Sequence, residues 1–63
     1  MKVSIQLKES SQPIIHDFIN TYTKGKLYCI YCKDGLTVKY PLLNIWRIVE
    51  DYGKHQSKQL REN

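Results

Sequence analysis

Two cysteines are the side chains in this sequence best suited to chemistry. Cys29 and Cys32 have the spacing of a zinc-binding or redox-active pair. However, residues 26–33 are rich in tyrosine and isoleucine, which predicts a strand rather than the helix start that activates redox thiols. Residues three apart in a strand face opposite sides and lie roughly 10 Å apart, too far to share an ion or a disulfide. We predict that both cysteines are packing residues, and that the protein uses no metal and no cofactor.

The remaining candidates for catalysis are isolated along the chain. His16 and His55 do not complete a zinc-ligand pattern. His16 and Asp17 are sequence neighbours, which in a strand point to opposite faces, and no serine or cysteine can be tied to them. A chain of 63 residues also has little material for a pocket that excludes water. We therefore predict a binding module and not an enzyme.

Aromatic residues and lysines are the other notable set. The sequence has seven aromatic residues, several of them close to lysines. They can fill a thin core, form a protein interface, or stack on the bases of a single-stranded nucleic acid, and we rank these roles in that order. Trp46 and Arg47 are the preferred interface pair, because neighbours in a strand face opposite sides and only one of them can be in the core.

Two candidate surfaces follow from these roles. The predicted protein interface consists of Trp46, Arg47, Tyr31, Tyr28 and Tyr40. The alternative surface, for nucleic acid, consists of Lys24, Lys26, Lys33 and Lys39.

Composition limits the class of protein. The net charge is +4, of which residues 53–63 carry +2, so attraction to polyanions is permitted but not required. No apolar stretch approaches the ~20 residues that span a bilayer, and no signal peptide is visible. We expect a cytoplasmic protein with reduced thiols and no membrane partner.

Period-two patterns and turn signals predict a mostly β protein. Val3, Ile5 and Leu7 alternate with polar residues in a first strand. Asp34-Gly35 predicts a hairpin between strands at residues 26–33 and 36–40. We predict a corner at residues 42–44, and a last strand or a short turn of helix at residues 45–50. Residues 14–22 fit either a strand, which we favour, or an amphipathic helix.

We therefore predict a small antiparallel meander of four to five strands, with an α+β fold carrying a helix at about 13–23 as the alternative. The domain covers residues 1–52, and residues 53–63 form a polar, basic and flexible tail. Because the strand at residues 27–32 is apolar on both faces, the sheet must curl into a partly open barrel or pack against a second copy. We expect a homodimer.

The hairpin segments also resemble a group of known proteins. Residues 22–29 (YTKGKLYC), Asp34-Gly35, residues 39–42 (KYPL) and residues 44–48 (NIWRI) are similar to small accessory proteins of phages and prophages of Gram-positive bacteria. The resemblance spans roughly residues 18–52 and implies a protein that acts by binding, often as an inhibitor of a host enzyme or of a bacterial defence system. It assigns no active-site residues.

The leading functional hypothesis is thus a phage-type accessory protein. It would act in the bacterial cytoplasm by stoichiometric protein–protein binding, as a counter-defence inhibitor of a host or defence protein. The alternative is a small nucleic-acid-binding or regulatory protein that uses the lysine and tyrosine surface. A structural component of a virion is a third hypothesis, which predicts higher-order oligomers.

Overall fold

Alternating apolar residues form strands along most of the chain. The computed structural model describes residues 1–53 and contains five antiparallel strands and one 3-10 turn. The elements are β1 (Lys2–Leu7), β2 (Ile14–Lys24), β3 (Leu27–Cys32), β4 (Thr37–Pro41), the 3-10 turn (Leu42–Asn44) and β5 (Ile45–Asp51). The prediction of a mostly β, antiparallel fold is confirmed, and the alternative helix at about 13–23 is wrong because that segment is β2.

The long strand β2 joins two halves of the sheet. Its first residues pair with β1, and its residues from Phe18 onward pair with β3. The register shifts between Phe18 and Asn20, where the Phe18 N–H donates to the Met1 carbonyl and the Asp17 carbonyl accepts from the Lys33 N–H. This bulge allows one strand to change partners, so β1 and β5 form one half of the sheet and β3 and β4 the other.

Glycines in the left-handed region make the two tight hairpins. Gly25 (φ 62°) is the first of two residues between β2 and β3, the position that a type II′ turn reserves for glycine. Gly35 (φ 92°) follows Asp34, whose side chain accepts a hydrogen bond from the Leu36 N–H. The N–H of Gly35 donates to the Cys32 carbonyl. The predicted Asp34-Gly35 hairpin is confirmed, with residues 33–36 between the two strands.

The strand order is β4-β3-β2-β1-β5, which differs from the simple meander we predicted. The first four strands follow one another, but β5 pairs with β1 at the far side of the sheet. The 3-10 turn makes this return possible, with the Asn44 carbonyl accepting from the Lys8 N–H and the Leu42 N–H donating to the Lys26 carbonyl.

The core lies between the two halves of the sheet. Its buried residues are Val3, Ile5, Phe18, Tyr28, Ile30 and Cys32, with Leu7, Val38, Tyr40, Ile45 and Ile48 packed against them. The bend in β2 therefore covers the inner face within one chain, as in the partly open barrel that we predicted as one of two solutions. The homodimer stays a prediction.

A second bulge sets the orientation of β5. Gln6 pairs with Arg47 and Leu7 with Ile45, so Trp46 is an extra residue in the strand. Ile45 and Ile48 consequently both pack against the core, although strict alternation would place them on opposite faces of the strand.

The predicted tail of residues 53–63 lies, beyond Gly53, outside the described residues. Across residues 1–53 the structure has no helix long and apolar enough to cross a membrane.

Candidate binding surfaces

Large apolar side chains are exposed where the chain returns from β4 to β5. Leu43 is 74% exposed and Trp46 65% exposed, and Leu42 beside them is partly exposed. We call these three residues the apolar corner. None of the residues of the 3-10 turn is buried, and the bulge makes Trp46 an extra residue in the period-two pattern of β5. Contiguous exposed apolar residues are typical of a contact surface for another molecule.

Arg47 gives the apolar corner a charged neighbour. It is exposed, and the only ion pair among residues 1–53 joins Lys2 to Asp17 at 2.8 Å. Trp46 and Arg47, the preferred pair of the sequence analysis, are therefore both exposed, and neither is in the core. We placed Leu42 and Leu43 in a corner between strands and gave them no role in binding. The signal we missed is that two consecutive leucines outside any strand have no face of the sheet on which to be buried.

A second surface is the outer face of β2, β3 and β4. Tyr22 lies opposite Cys29, which lies opposite Lys39, and Tyr31 is one row away between Asn20 and Thr37. Tyr22 and Tyr31 are each 41% exposed, whereas Cys29 between them is fully buried. We call this surface the tyrosine–lysine face; its members are Tyr22, Tyr31, Lys24, Lys39 and the buried Cys29.

The predicted nucleic-acid lysines are only partly brought together. Lys24 and Lys39 lie on the tyrosine–lysine face, while Lys26 and Lys33 lie in the turns at the two ends of β3. Within residues 1–53 none of the four forms an ion pair. They therefore add positive charge around β3, and of the four Lys33 interacts electrostatically with Asp17.

Tyr28 is not available to a partner and is removed from the predicted interface. It is only 5% exposed, and its hydroxyl donates to Oε2 of Glu50 at 2.5 Å. Thr21 donates to the same oxygen and Tyr52 to Oε1 at 2.6 Å. Burial and the hydrogen bond to Glu50 raise the pKa of Tyr28 to about 12, while the donated bonds of Tyr28 and Tyr52 lower the pKa of Glu50. This polar cluster joins β5 to β2 and β3.

Tyr40 has a similar structural role at another side of the core. Its ring packs against the core, and its hydroxyl is 2.8 Å from Nε2 of His16. Burial is the main cause of the raised pKa of Tyr40. The pair links β4 to the first part of β2, so Tyr40 contributes little surface to the predicted interface.

The two cysteines occupy the places predicted for packing residues. Cys32 is in the core and Cys29 is buried on the outer face of the same strand, and both are free thiols. Burial raises the pKa of Cys32, and the nearby Asp34 and Asp17 raise it further, which disfavours the reactive thiolate. Among the described residues no three histidine, cysteine or acidic side chains are placed to hold a metal ion.

Comparison with known protein families, with curated proteins and with solved structures finds no match to this chain.

Proposed function

We propose that this protein acts by stoichiometric binding to another protein, and that the apolar corner is its contact surface. The observation that carries the proposal is the exposure of Leu43 and Trp46, which no part of residues 1–53 covers. Tryptophan is among the residues that most often dominate the energy of protein interfaces. Leaving it in water has no benefit for folding, so the exposure favours a role in binding.

The chemistry of the corner indicates the kind of partner surface. Leu43 and Trp46 fit an apolar groove, and the guanidinium of Arg47 beside them fits a carboxylate at its rim. β5 pairs on one side only, with β1, so its other edge can also offer backbone hydrogen bonds to the partner. The resemblance to phage accessory proteins adds the class of target, a host enzyme or a defence protein of a bacterium, and the outcome of binding, inhibition.

The test begins with capture from a bacterial lysate and ends with purified components. The full chain is used as bait with nuclease present, and each retained protein is then purified and titrated calorimetrically. We expect a defined stoichiometry and an apolar contact. The double variant Leu43→Ser/Trp46→Ser should weaken binding by at least about 2 kcal/mol, roughly thirtyfold, as expected for an interface anchor.

Leu36→Ser provides the matched control. Leu36 is 63% exposed, almost the same as Trp46, but it lies in the turn that precedes β4, at the other end of that strand from the corner. This variant should bind as the wild type does. Equal loss in the control and the corner variants, or no protein retained in the presence of nuclease, would contradict the proposal.

A further inference from the structure

The tyrosine–lysine face is separate from the core and from the apolar corner. It lies on the outer side of β2, β3 and β4, whereas the corner lies where β5 begins. Neither the Tyr22 nor the Tyr31 hydroxyl forms a hydrogen bond within residues 1–53. By contrast Tyr28, Tyr40 and Tyr52 are all hydrogen-bonded. The two tyrosines of the face therefore have both ring and hydroxyl available for a ligand.

The register of the strands sets the spacing of these two rings. Tyr22 pairs with Cys29 and Tyr31 with Asn20, so the tyrosines are diagonal neighbours on adjacent strands. Such neighbours lie about 7–8 Å apart on one face of a sheet, within reach of successive bases of an extended strand. The small Cys29 lies opposite Tyr22 on this face and is fully buried.

Charge is concentrated in the same half of the molecule. Residues 18–41 carry four lysines against Asp34 alone, a net side-chain charge of +3. The other described residues carry three cations against four carboxylates, a net charge of −1. The strand register places no carboxylate on the tyrosine–lysine face, where Lys39 lies opposite Cys29 and Lys24 opposite Leu27. A polyanion is thus attracted to this side of the protein in particular.

We propose that the tyrosine–lysine face binds single-stranded nucleic acid. Two bases stack on Tyr22 and Tyr31, and Lys24, Lys39 and the flanking Lys26 contact phosphates. Bases of a single strand are free to stack on aromatic side chains, whereas those of a duplex are not.

The experiment measures binding of a fluorescently labelled 12-nucleotide oligo-dT and oligo-rU by anisotropy, with the full chain and a salt series. A duplex of the same length is the competitor. If three phosphates are contacted, affinity should fall about fourfold for each doubling of salt. Unlabelled single strand should compete well and the duplex poorly.

Variants of the face separate stacking from charge. Tyr31→Leu removes the flat ring and should weaken binding about fivefold or more, while Tyr31→Phe keeps the ring and should restore most of the affinity. Lys39→Gln should weaken binding and reduce the slope of log affinity against log salt by the amount that corresponds to about one phosphate contact. Lys8→Gln makes the same charge change outside this face and should bind as the wild type does. All three substituted positions are exposed, and circular dichroism checks that each variant is folded.

The outcomes are decisive for the proposal. Loss of affinity in Tyr31→Leu and Lys39→Gln, together with retention in Tyr31→Phe and Lys8→Gln, supports it. No binding at low salt overturns it. Binding that is unchanged in both face variants, or equally weakened by Lys8→Gln, also overturns it, because the nucleic acid would then be held elsewhere by general charge. None of these results bears on the apolar corner, whose variants test a different ligand.

Discussion

At the scale of single residues, the tyrosines show how one residue type takes different roles according to register. Tyr28 faces inward from β3 and is buried, whereas Tyr31, three positions later on the same strand, faces outward and is 41% exposed. The inward hydroxyl requires a partner in the core region, and Glu50 supplies it. The outward hydroxyl is left to solvent or to a ligand.

Glu50 should make the fold sensitive to acid. Its pKa is lowered in the folded protein by hydrogen bonds from Tyr28 and Tyr52, below the ordinary value of 4.5. The stabilisation is therefore present above that value and is lost as the pH falls through the lower, folded pKa. Glu50→Gln should cost about 1 kcal/mol at pH 7, and this cost should shrink towards pH 3. Urea unfolding at several pH values measures it.

Glu9→Gln is the control for this prediction. Glu9 lies in the turn after β1 and, among the described residues, accepts no hydrogen bond. Its substitution should leave the free energy of unfolding within about 0.5 kcal/mol of the wild type across the same pH range. A cost of Glu50→Gln that is independent of pH would show that the charge of Glu50 is not what holds β5 in place.

At the scale of elements, alternation predicts strands but not their irregularities. Val3 and Ile5 in β1 are buried as their period-two pattern indicates. The bulges at Ile19 and Trp46 are not visible in the sequence, because a bulge is an extra residue that only the partner strand reveals. These two bulges decide the partner change of β2 and the exposure of Trp46, so the strand order and the apolar corner could not be predicted. The tyrosine and lysine surface was predicted in part, because Asn20, Tyr22 and Lys24 follow regular alternation after the first bulge.

The β3–β4 hairpin should depend on the conformation of Gly35. Its φ of 92° is disfavoured for a residue with a side chain, although a Cβ there would have no atom within 4 Å. Gly35→Ala should therefore destabilise the protein by about 1 kcal/mol through the backbone alone. Gly35→Asn should cost less, because asparagine tolerates positive φ better than alanine. Thermal unfolding followed by circular dichroism compares them, and equal stability of the alanine variant and the wild type would contradict the hairpin geometry.

At the scale of the whole molecule, the two halves of the sheet depend on each other. The apolar face of each half is covered only by the other half, because Val3 and Ile5 of one half and Tyr28 and Ile30 of the other form a single core. One chain completes this core, so the predicted homodimer needs an additional contact, such as the apolar corner or an open strand edge. If the dimer forms, sedimentation will show a species of twice 7.5 kDa and the unfolding midpoint will rise with protein concentration.

Phe18 is the residue that links the halves, so it should control folding of the entire domain. It is 1% exposed, lies where β2 changes partners, and packs edge-on against Tyr52 with ring centroids 5.6 Å apart. Phe18→Ala should cost about 3–5 kcal/mol, comparable with the roughly 3–8 kcal/mol expected for a domain of this size. We therefore expect that variant to be unfolded at 25 °C.

Ile19→Ala, at the adjacent bulge position, is the matched control. Ile19 is 48% exposed, so its truncation should change the free energy of unfolding by no more than about 0.5 kcal/mol. Proton–nitrogen correlation spectra of the two variants distinguish cooperative from partial unfolding. In Phe18→Ala the amide signals of β4 and β5 should lose their dispersion together, because each half covers the apolar face of the other. Persistence of the β3–β4 signals alone would show that this hairpin is stable without β1 and β5, and that the core does not unite the halves.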